Sequence, residues 1–448
     1  MHIACPDMNA SRDPRDDLRI NISLENAVKT GKLLGSMYDA VALCRDGHRS
    51  SHMIEQALMS GIISTGGDVY LAGECPAPAM PYARTGCDCY VSIAADEPDQ
   101  MSGINIHNPD GSYFDGAQVQ ALMSKESRIA YPDYSGLGQV HNIYGIFGRY
   151  SEAINRFVKR CNCQFVMDGT YSAPTNFASR ILLSNDSETV IFKRPRSHHV
   201  KSLDEYNYYD IIHTMDSYPG SIAAALNNDG SKAVMFDEER NRINSTHLGA
   251  ILVKITGARR ITAPMDVSLA VVDAVPEGGI VTHTDRNIKR VVDFMASRNR
   301  LFLEDQMLVN KFDMGMDAYG RFVFSDVSYT PDGIATMMKI GEYASEGKIS
   351  DLVKSIPDYP RIKERVLTTV ICDEFMEVLL NEVRSAEYDS LVEMSGFRLE
   401  FDNGWILIEV NSADQYVEIT CESRDRAYVV GLMDIGKSIV NSAIREFD

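Results

Sequence analysis

The sequence predicts an α/β protein built from three similar units and a smaller, C-terminal α+β unit. Three observations carry this. Short apolar runs alternate with helical stretches three times along the chain, the pattern of layered α/β units. The last segment instead reads strand, turn, strand around Asn403-Gly404. At 448 residues the chain is also too long for a single core. The units are placed at 1–147, 148–257, 258–362 and 363–448.

In the first unit Ala27, Val28, Leu33 and Leu34 give residues 22–37 a helical apolar face. Ala40 to Cys44 is an apolar strand, followed by the polar loop Arg45 to Arg49. Ser50 or Ser51 is placed to cap a helix carrying Ile54, Leu58 and Ile62, which Gly66-Gly67 ends. Asp68 to Ala72 is a strand, and Pro76, Pro78 and Pro81 mark a loop and a helix start. Tyr90 to Ala94 is a buried strand; the acidic loop after it turns at Pro98 and re-enters an alternating strand at Gly103.

The second unit has a helix over Ser151 to Arg160 and strands at Cys163 to Met167, Glu188 to Phe192 and Lys232 to Phe236. Thr246 opens an apolar helix that Gly257 closes. The third unit has strands near Arg260–Thr262, Ile280–His283, Arg300–Leu303 and Phe322–Phe324. It has a helix from Ile288 to Ser297 and another from Pro331-Asp332-Gly333 to Gly347. Pro357 and Pro360 suggest a linker to the fourth unit. There a helix over Glu374 to Arg384 precedes the hairpin Phe397–Phe401/Trp405–Val410, a strand Tyr416–Cys421 and a closing helix from Asp425.

Lys+Arg 44 against Asp+Glu 63 gives a net charge of −19, which repels nucleic acid and anionic membrane surfaces in the absence of a basic patch. The densest basic run, Lys193-Arg194-Pro195-Arg196, is short. The nine cysteines follow no disulfide-framework spacing. The N-terminus has no apolar signal core and no apolar run reaches membrane-spanning length. A cytoplasmic protein is expected.

Several stretches bear directly on family and function. Ser60-Gly61-Ile62-Ile63-Ser64-Thr65-Gly66-Gly67-Asp68-Val69, Ser102-Gly103-Ile104-Asn105-Ile106 with Asp110-Gly111-Ser112, Asp332-Gly333-Ile334 and Asn403-Gly404-Trp405 stand out. On these the chain resembles the α-D-phosphohexomutase superfamily, the phosphoglucomutases, phosphomannomutases and phosphoglucosamine mutases. The resemblance runs over nearly the whole length. It implies three α/β domains with mixed sheets and a C-terminal α+β domain around a central cleft, with one functional loop from each.

The loops of the resemblance are altered here. The family's phosphoserine loop, Thr-Ala-Ser-His-Asn-Pro, falls on Ile93 to Pro98. Its serine is Ala95, with Asp96 and Glu97 beside it, and a methyl group cannot carry phosphate. The Asp-Gly-Asp-X-Asp-Arg metal loop falls on Asn227 to Lys232, leaving Asn227, Asp229 and Ser231 as candidate ligands. One carboxylate of three remains for a magnesium ion that wants hard oxygen donors. No cofactor is therefore required, and Mg2+ is doubtful. The sugar loop, Gly-Glu-X-Ser-Gly-His, falls on Met316 to Arg321. Candidate contacts there are Asp317, Tyr319 and Arg321, and the bulk of Tyr319 is expected to narrow the cleft. The phosphate loop, Arg-Pro-Ser-Gly-Thr-Glu-Pro, falls on Glu409 to Gln415, with Asn411 and Ser412 as candidates and a carboxylate where an arginine stood. Arg15, Arg45 and Lys232 complete the candidate substrate contacts.

The resemblance therefore implies a scaffold kept and a reaction lost: a ligand-binding or regulatory pseudoenzyme in carbohydrate or sugar-nucleotide metabolism. Its expected partners are a second copy or an active mutase or sugar-nucleotide enzyme. The alternative is an active phosphotransferase, or another sugar-phosphate enzyme, with an atypical site in the same cleft. Other features have plainer readings. Asp96, Glu97 and Asp99 suit a solvated loop as well as a cation site with Asp229 and Asn227. His198, His199 and His213 lack the spacing of a zinc helix. Cys87/Cys89 and Cys161/Cys163, two apart on or beside predicted strands, put both thiols on one face, as core packing does, with metal binding the other option. Gly136-Leu-Gly138 lacks the rest of a dinucleotide fingerprint. The apolar side of the helix around Met53 to Ile63 suits core or interface.

Overall fold

The computed structural model describes residues 20–447 apart from 22, 84–85, 96–101, 170–171, 193–202, 204–206 and 305–310. Four sheets succeed one another along the chain. The first three share one plan. A central strand is flanked by the next strand on one side and the third on the other, both parallel to it. A fourth strand then returns antiparallel to the third. In the first sheet these are Ala40–Arg45, Asp68–Glu74, Cys89–Ala95 and Ser102–His107, extended at its edges by Ile20–Asn21 and Val140–Asn142. In the second they are Phe165–Asp168, Thr189–Phe192, Ile222–Leu226 and Ala233–Phe236. In the third they are Arg260–Pro264, Ile280–Thr284, Met314–Met316 and Phe322–Phe324. Parallel neighbours require crossovers, and helices such as Arg49–Ser64, Ser172–Ser184 and Ile288–Glu304 supply them. The fourth sheet is fully antiparallel, with Arg361–Leu367, Tyr416–Ser423, Gly404–Asn411, Gly396–Phe401 and Ser390–Glu393 side by side. The helices Asp373–Ser385 and Arg426–Arg445 cover it.

Several expectations change at the level of packing. Arg300 to Leu303 is the last turn of the helix Ile288–Glu304 and not a strand. Asn299 is buried there and exchanges hydrogen bonds with the Phe312 backbone, 2.7 Å from its N–H and 3.0 Å from its carbonyl, which pins the helix to the start of the next segment. The helix Arg49–Ser64 is capped by His48, whose ring nitrogen accepts from the Ser50 N–H. The linker expected at Pro357 to Pro360 gives way at once to the strand Arg361–Leu367. The stretch after Asp332 forms two helices, Gly333–Ala344 and Ile349–Lys354. The 402–404 hairpin forms as expected, but Gly404 is already paired with Phe401 and has no positive φ. Its missing side chain matters for a different reason: a Cβ there would lie 2.6 Å from the Glu422 carbonyl oxygen.

The units are joined through backbone. The Ala77 N–H donates to the Asp229 carbonyl at 2.9 Å, and the Gly333 N–H donates to the Gly230 carbonyl at 2.9 Å. Lys232 and Arg321 form an isolated antiparallel bridge. One apolar cluster runs without a break through the second and third units and includes Ala42, Cys44 and Tyr90 of the first. Beside it Tyr150 is fully buried and its hydroxyl lies 3.0 Å from each oxygen of Asp332, the cap of the helix Gly333–Ala344. Burial pushes that carboxyl up to about 7. Among the described residues no helix is long and apolar enough to cross a membrane.

A Cβ on Gly333 would come within 2.5 Å of the Lys232 carbonyl carbon, so this junction tolerates no side chain. Gly333→Ala is expected to lower stability by about 1–3 kcal/mol, the range for overpacking. Gly148→Ala, inside the helix Ile146–Phe157 and with nothing within 4 Å, should raise it by about 0.5–1 kcal/mol. Urea unfolding of the two variants checks the contrast.

Candidate functional site

The shared plan puts the first three candidate loops at equivalent places, and the fourth also falls between antiparallel neighbours: the paired strands flank residues 96–101, 227–232, 317–321 and 412–415. Ala95 is the last residue of its strand, paired across the hairpin with Ser102. Asp96 and Glu97 lie outside the described residues, as do Arg15, the acidic loop through Asp99, Lys193 to Arg196, and His198 and His199.

The second loop closes on itself. The Asn227 amide donates to Asp229 Oδ1 at 2.8 Å and to Ser231 Oγ at 3.0 Å, while its oxygen accepts from the Lys232 N–H at 2.8 Å. Asp229 Oδ1 also accepts from the Ser231 N–H at 3.0 Å. Gly230 has φ +78°, and a Cβ there would touch Pro76 at 2.9 Å, so the turn and its contact with the first unit both need glycine. Magnesium requires several convergent oxygens in near-octahedral array. Here Asn227 directs its amide donor at the one remaining carboxylate. Among the described residues no group of three His, Cys, Asp or Glu is arranged to hold a metal. The residues do not fit Mg2+.

The third loop is closed by Asp317. Its side chain is buried; Oδ1 accepts from the N–H groups of Tyr319 and Arg321, each at 2.9 Å, and Oδ2 binds Arg321 Nε at 2.6 Å. Arg321 is thereby folded onto its own turn, next to Lys232 across the bridge described above. Tyr319 is half-buried, close enough to Arg286 to influence its charge.

The fourth loop follows the same habit. The Asn411 amide donates to Asp414 at 3.1 Å and to the Tyr416 hydroxyl at 2.9 Å, and its oxygen accepts from the Asp414 N–H at 2.9 Å. Ser412 is exposed, and its carbonyl accepts from Gln415, which has φ +54°. Below the turn, Glu409 meets Arg286, an arginine that the sequence reading did not single out. Arg286 sits just past the strand Ile280–Thr284 and reaches from the third unit to the fourth. It lies 2.7 Å from Glu409, 3.1 Å from Asp266 and 3.9 Å from Glu418. Lys363 and Arg365 also bind Glu418, at 2.6 and 3.0 Å. Asp266 and Glu409 are left to share one guanidinium, and burial, followed by the neighbouring Asp266 and Glu418, pushes Glu409 up to about 7. The carboxylates below this turn are thus bound to a cation from the neighbouring unit. Only its place at a strand end could have drawn attention to Arg286.

Arg45 is likewise engaged. It binds Glu55 at 3.0 Å, Glu74 at 3.2 Å and the Asp46 carbonyl at 2.9 Å. Three residues before Ala95, Ser92 Oγ lies 3.0 Å from His107 Nε2. Burial drives His107 down to about 3, so the ring is neutral. Its Nδ1 lies 3.2 Å from the Gly111 carbonyl, and the ring stacks on Tyr90 at 4.5 Å. Ser92 is 4% exposed and His107 1%, so this pair is buried.

A family profile described as phosphoglucomutase/phosphomannomutase, alpha/beta/alpha domain I, matches residues 11–130. A probable phosphoglucosamine mutase of Methanococcoides burtonii is 26% identical over 436 residues, covering 94% of this chain and 96% of that one. A phosphoglucosamine mutase of Methanococcus maripaludis is 24% identical over 447 residues, covering 94% and 96%. Among solved structures, a phosphoglucomutase/phosphomannomutase family protein from Burkholderia thailandensis superposes with a TM-score of 0.75 at 18% identity, covering 94% of each chain. A putative phosphomannomutase from Thermus thermophilus gives 0.68 at 14% identity, covering 94% of this chain and 96% of that one.

Glu409 supplies a pH test. Its folded-state value, about 7, lies above the ordinary 4.5. Its contribution to stability is therefore complete below about 4.5 and is lost as the pH rises through 7. At pH 5 Glu409→Gln should match the parent. At pH 8 the variant should be the more stable, by up to about 3 kcal/mol if the full shift is expressed. Thermal unfolding of both proteins from pH 5 to 8 measures the divergence.

Proposed function

The chain belongs to the α-D-phosphohexomutase superfamily, and from that membership we propose that it has lost mutase turnover and works as a ligand-binding or regulatory protein in carbohydrate or sugar-nucleotide metabolism. The observation that carries this is Ala95 at the end of the hairpin strand Cys89–Ala95, where the family's phosphoserine position falls. Phosphoryl transfer through an enzyme-bound phosphate needs an oxygen at that place. The second loop supports the reading, since its side chains bind each other instead of presenting three carboxylates. The fourth supports it too, with Glu409 where the family has a phosphate-binding arginine.

The ligand favoured by this chemistry is neutral or cationic, or an anion that arrives with its own metal. A partner is the second part of the proposal: another copy of the chain, or an active mutase or sugar-nucleotide enzyme whose assembly this one serves. Measurement of mass in solution and co-purification address it. The alternative reading, an active sugar-phosphate enzyme with an atypical site, rests on the contact between Ser92 and His107, where a neutral imidazole faces a hydroxyl. Burial of both groups argues against their meeting a substrate.

Incubation with glucose 1-phosphate or glucosamine 1-phosphate, magnesium and a hexose bisphosphate primer is expected to give no interconversion. Ala95→Ser should stay inactive as well, because the metal loop is still missing two carboxylates. Turnover by the parent protein at ordinary mutase rates overturns the proposal. A thermal-shift series with the same compounds and with divalent cations alone reports binding separately from turnover.

A further inference from the structure

We propose that Cys161 and Cys163 form a redox-active dithiol that closes to a disulfide by exchange with a low-molecular-weight disulfide, at a site outside the four loops. The two Sγ atoms are 3.9 Å apart. In an extended strand, residues two apart are separated by roughly 7 Å along the chain, so the spacing alone does not bring thiols together. The expectation that this pair lies strand-like on one face fails here. The strand begins only at Phe165, and the chain bends at Cys163.

The bend is built by specific contacts. The Asn162 N–H donates to Ser345 Oγ at 2.7 Å, at the end of the helix Gly333–Ala344. Ser187 Oγ donates to the Cys161 carbonyl at 2.6 Å, lies 3.5 Å from Cys161 Sγ, and accepts from the Cys163 N–H at 3.4 Å. Cys161 is fully buried against Gly341, where a Cβ would lie 2.5 Å from its sulfur, while Cys163 is half-buried. The Cys163 thiol and the Ser187 hydroxyl hold Cys161 below the ordinary thiol range, and the same contact with Cys161 raises Cys163. Of the two thiols, Cys161 is thus the readier to ionise. Cys87 and Cys89 have the same spacing, but Cys89 lies in the regular strand Cys89–Ala95, and burial drives its thiol above the ordinary range.

The exchange balances as follows. The accessible Cys163 sulfur attacks one sulfur of the small disulfide, and a bond forms between them. The old S–S bond breaks, and the departing thiolate takes the proton that Cys163 gives up. Cys161 then attacks Cys163 and displaces the second small thiolate, which takes the Cys161 proton. Two protein thiols are oxidised and one small disulfide is reduced to two thiols.

The full-length protein is incubated with oxidised glutathione, alkylated, digested and analysed by mass spectrometry. Two of the nine thiols should be lost, both from the peptide beginning at Cys161, with an internal disulfide. Cys161→Ser should instead accumulate the glutathione mixed disulfide on Cys163, and Cys163→Ser should block the reaction. Urea unfolding confirms that both variants fold. A Cys161 peptide that stays doubly alkylated, or a glutathione adduct that persists on the parent protein without closing, overturns the proposal. So does equal oxidation of Cys87 and Cys89, because the bend would then confer nothing.

Discussion

The turn from Asn227 to Lys232 is the junction on which the arrangement of units depends. Its backbone accepts hydrogen bonds from Ala77 of the first unit and Gly333 of the third, and its end bridges to Arg321. Such contacts demand close approach, which is why Gly230 and Gly333 carry no side chain. The internal bonding of Asn227, Asp229 and Ser231 fits that role: their side chains complete the turn.

The same economy appears in the other described loops. Asp317 binds two N–H groups and Arg321, and Asn411 ties together Asp414 and Tyr416. Between the third and fourth units the problem is electrostatic. Arg286 faces three carboxylates, with Lys363 and Arg365 relieving only Glu418. Burial, with the neighbouring carboxylates behind it, raises the proton affinity of Glu409. Around this lattice the interface is braced by Arg424 on Asp273, by Glu422 accepting from Ser268, and by Trp405 packed with Met265, Leu269 and Leu407.

Local sequence carried much of the secondary structure because its signals are short-range. The helix closed by Gly257 has its glycine at φ +66°, and the 402–404 hairpin lies where turn residues separate two alternating strands. Where it misled, a distant partner outweighed local preference. Arg300 to Leu303 extends a helix because Asn299 is anchored to Phe312. The strand Arg361–Leu367, whose residues alternate between exposed and half-buried, exists because it pairs with Tyr416–Ser423, more than fifty residues further on. Of the site, Ala95, Glu409 and the sparse carboxylates of 227–232 were legible as residue types. Arg286 and the sealed contact of Ser92 with His107 were not, since each depends on a partner in another strand or unit.

The sequence by itself determined the class of fold and which chemical groups each loop can offer, because composition and periodicity are properties of the chain. It determined that residue 95 is an alanine, with a methyl side chain. Only the tertiary structure decided what the remaining groups do. It placed the first three loops between the same two strands of their sheets, turned polar atoms of the 227–232, 317–321 and 412–415 turns onto their own backbone and side chains, paired Glu409 with an arginine from another unit, and bent Cys161 toward Cys163. Hydrogen bonds and ion pairs form between atoms that meet in space, and separation along the chain does not specify that meeting.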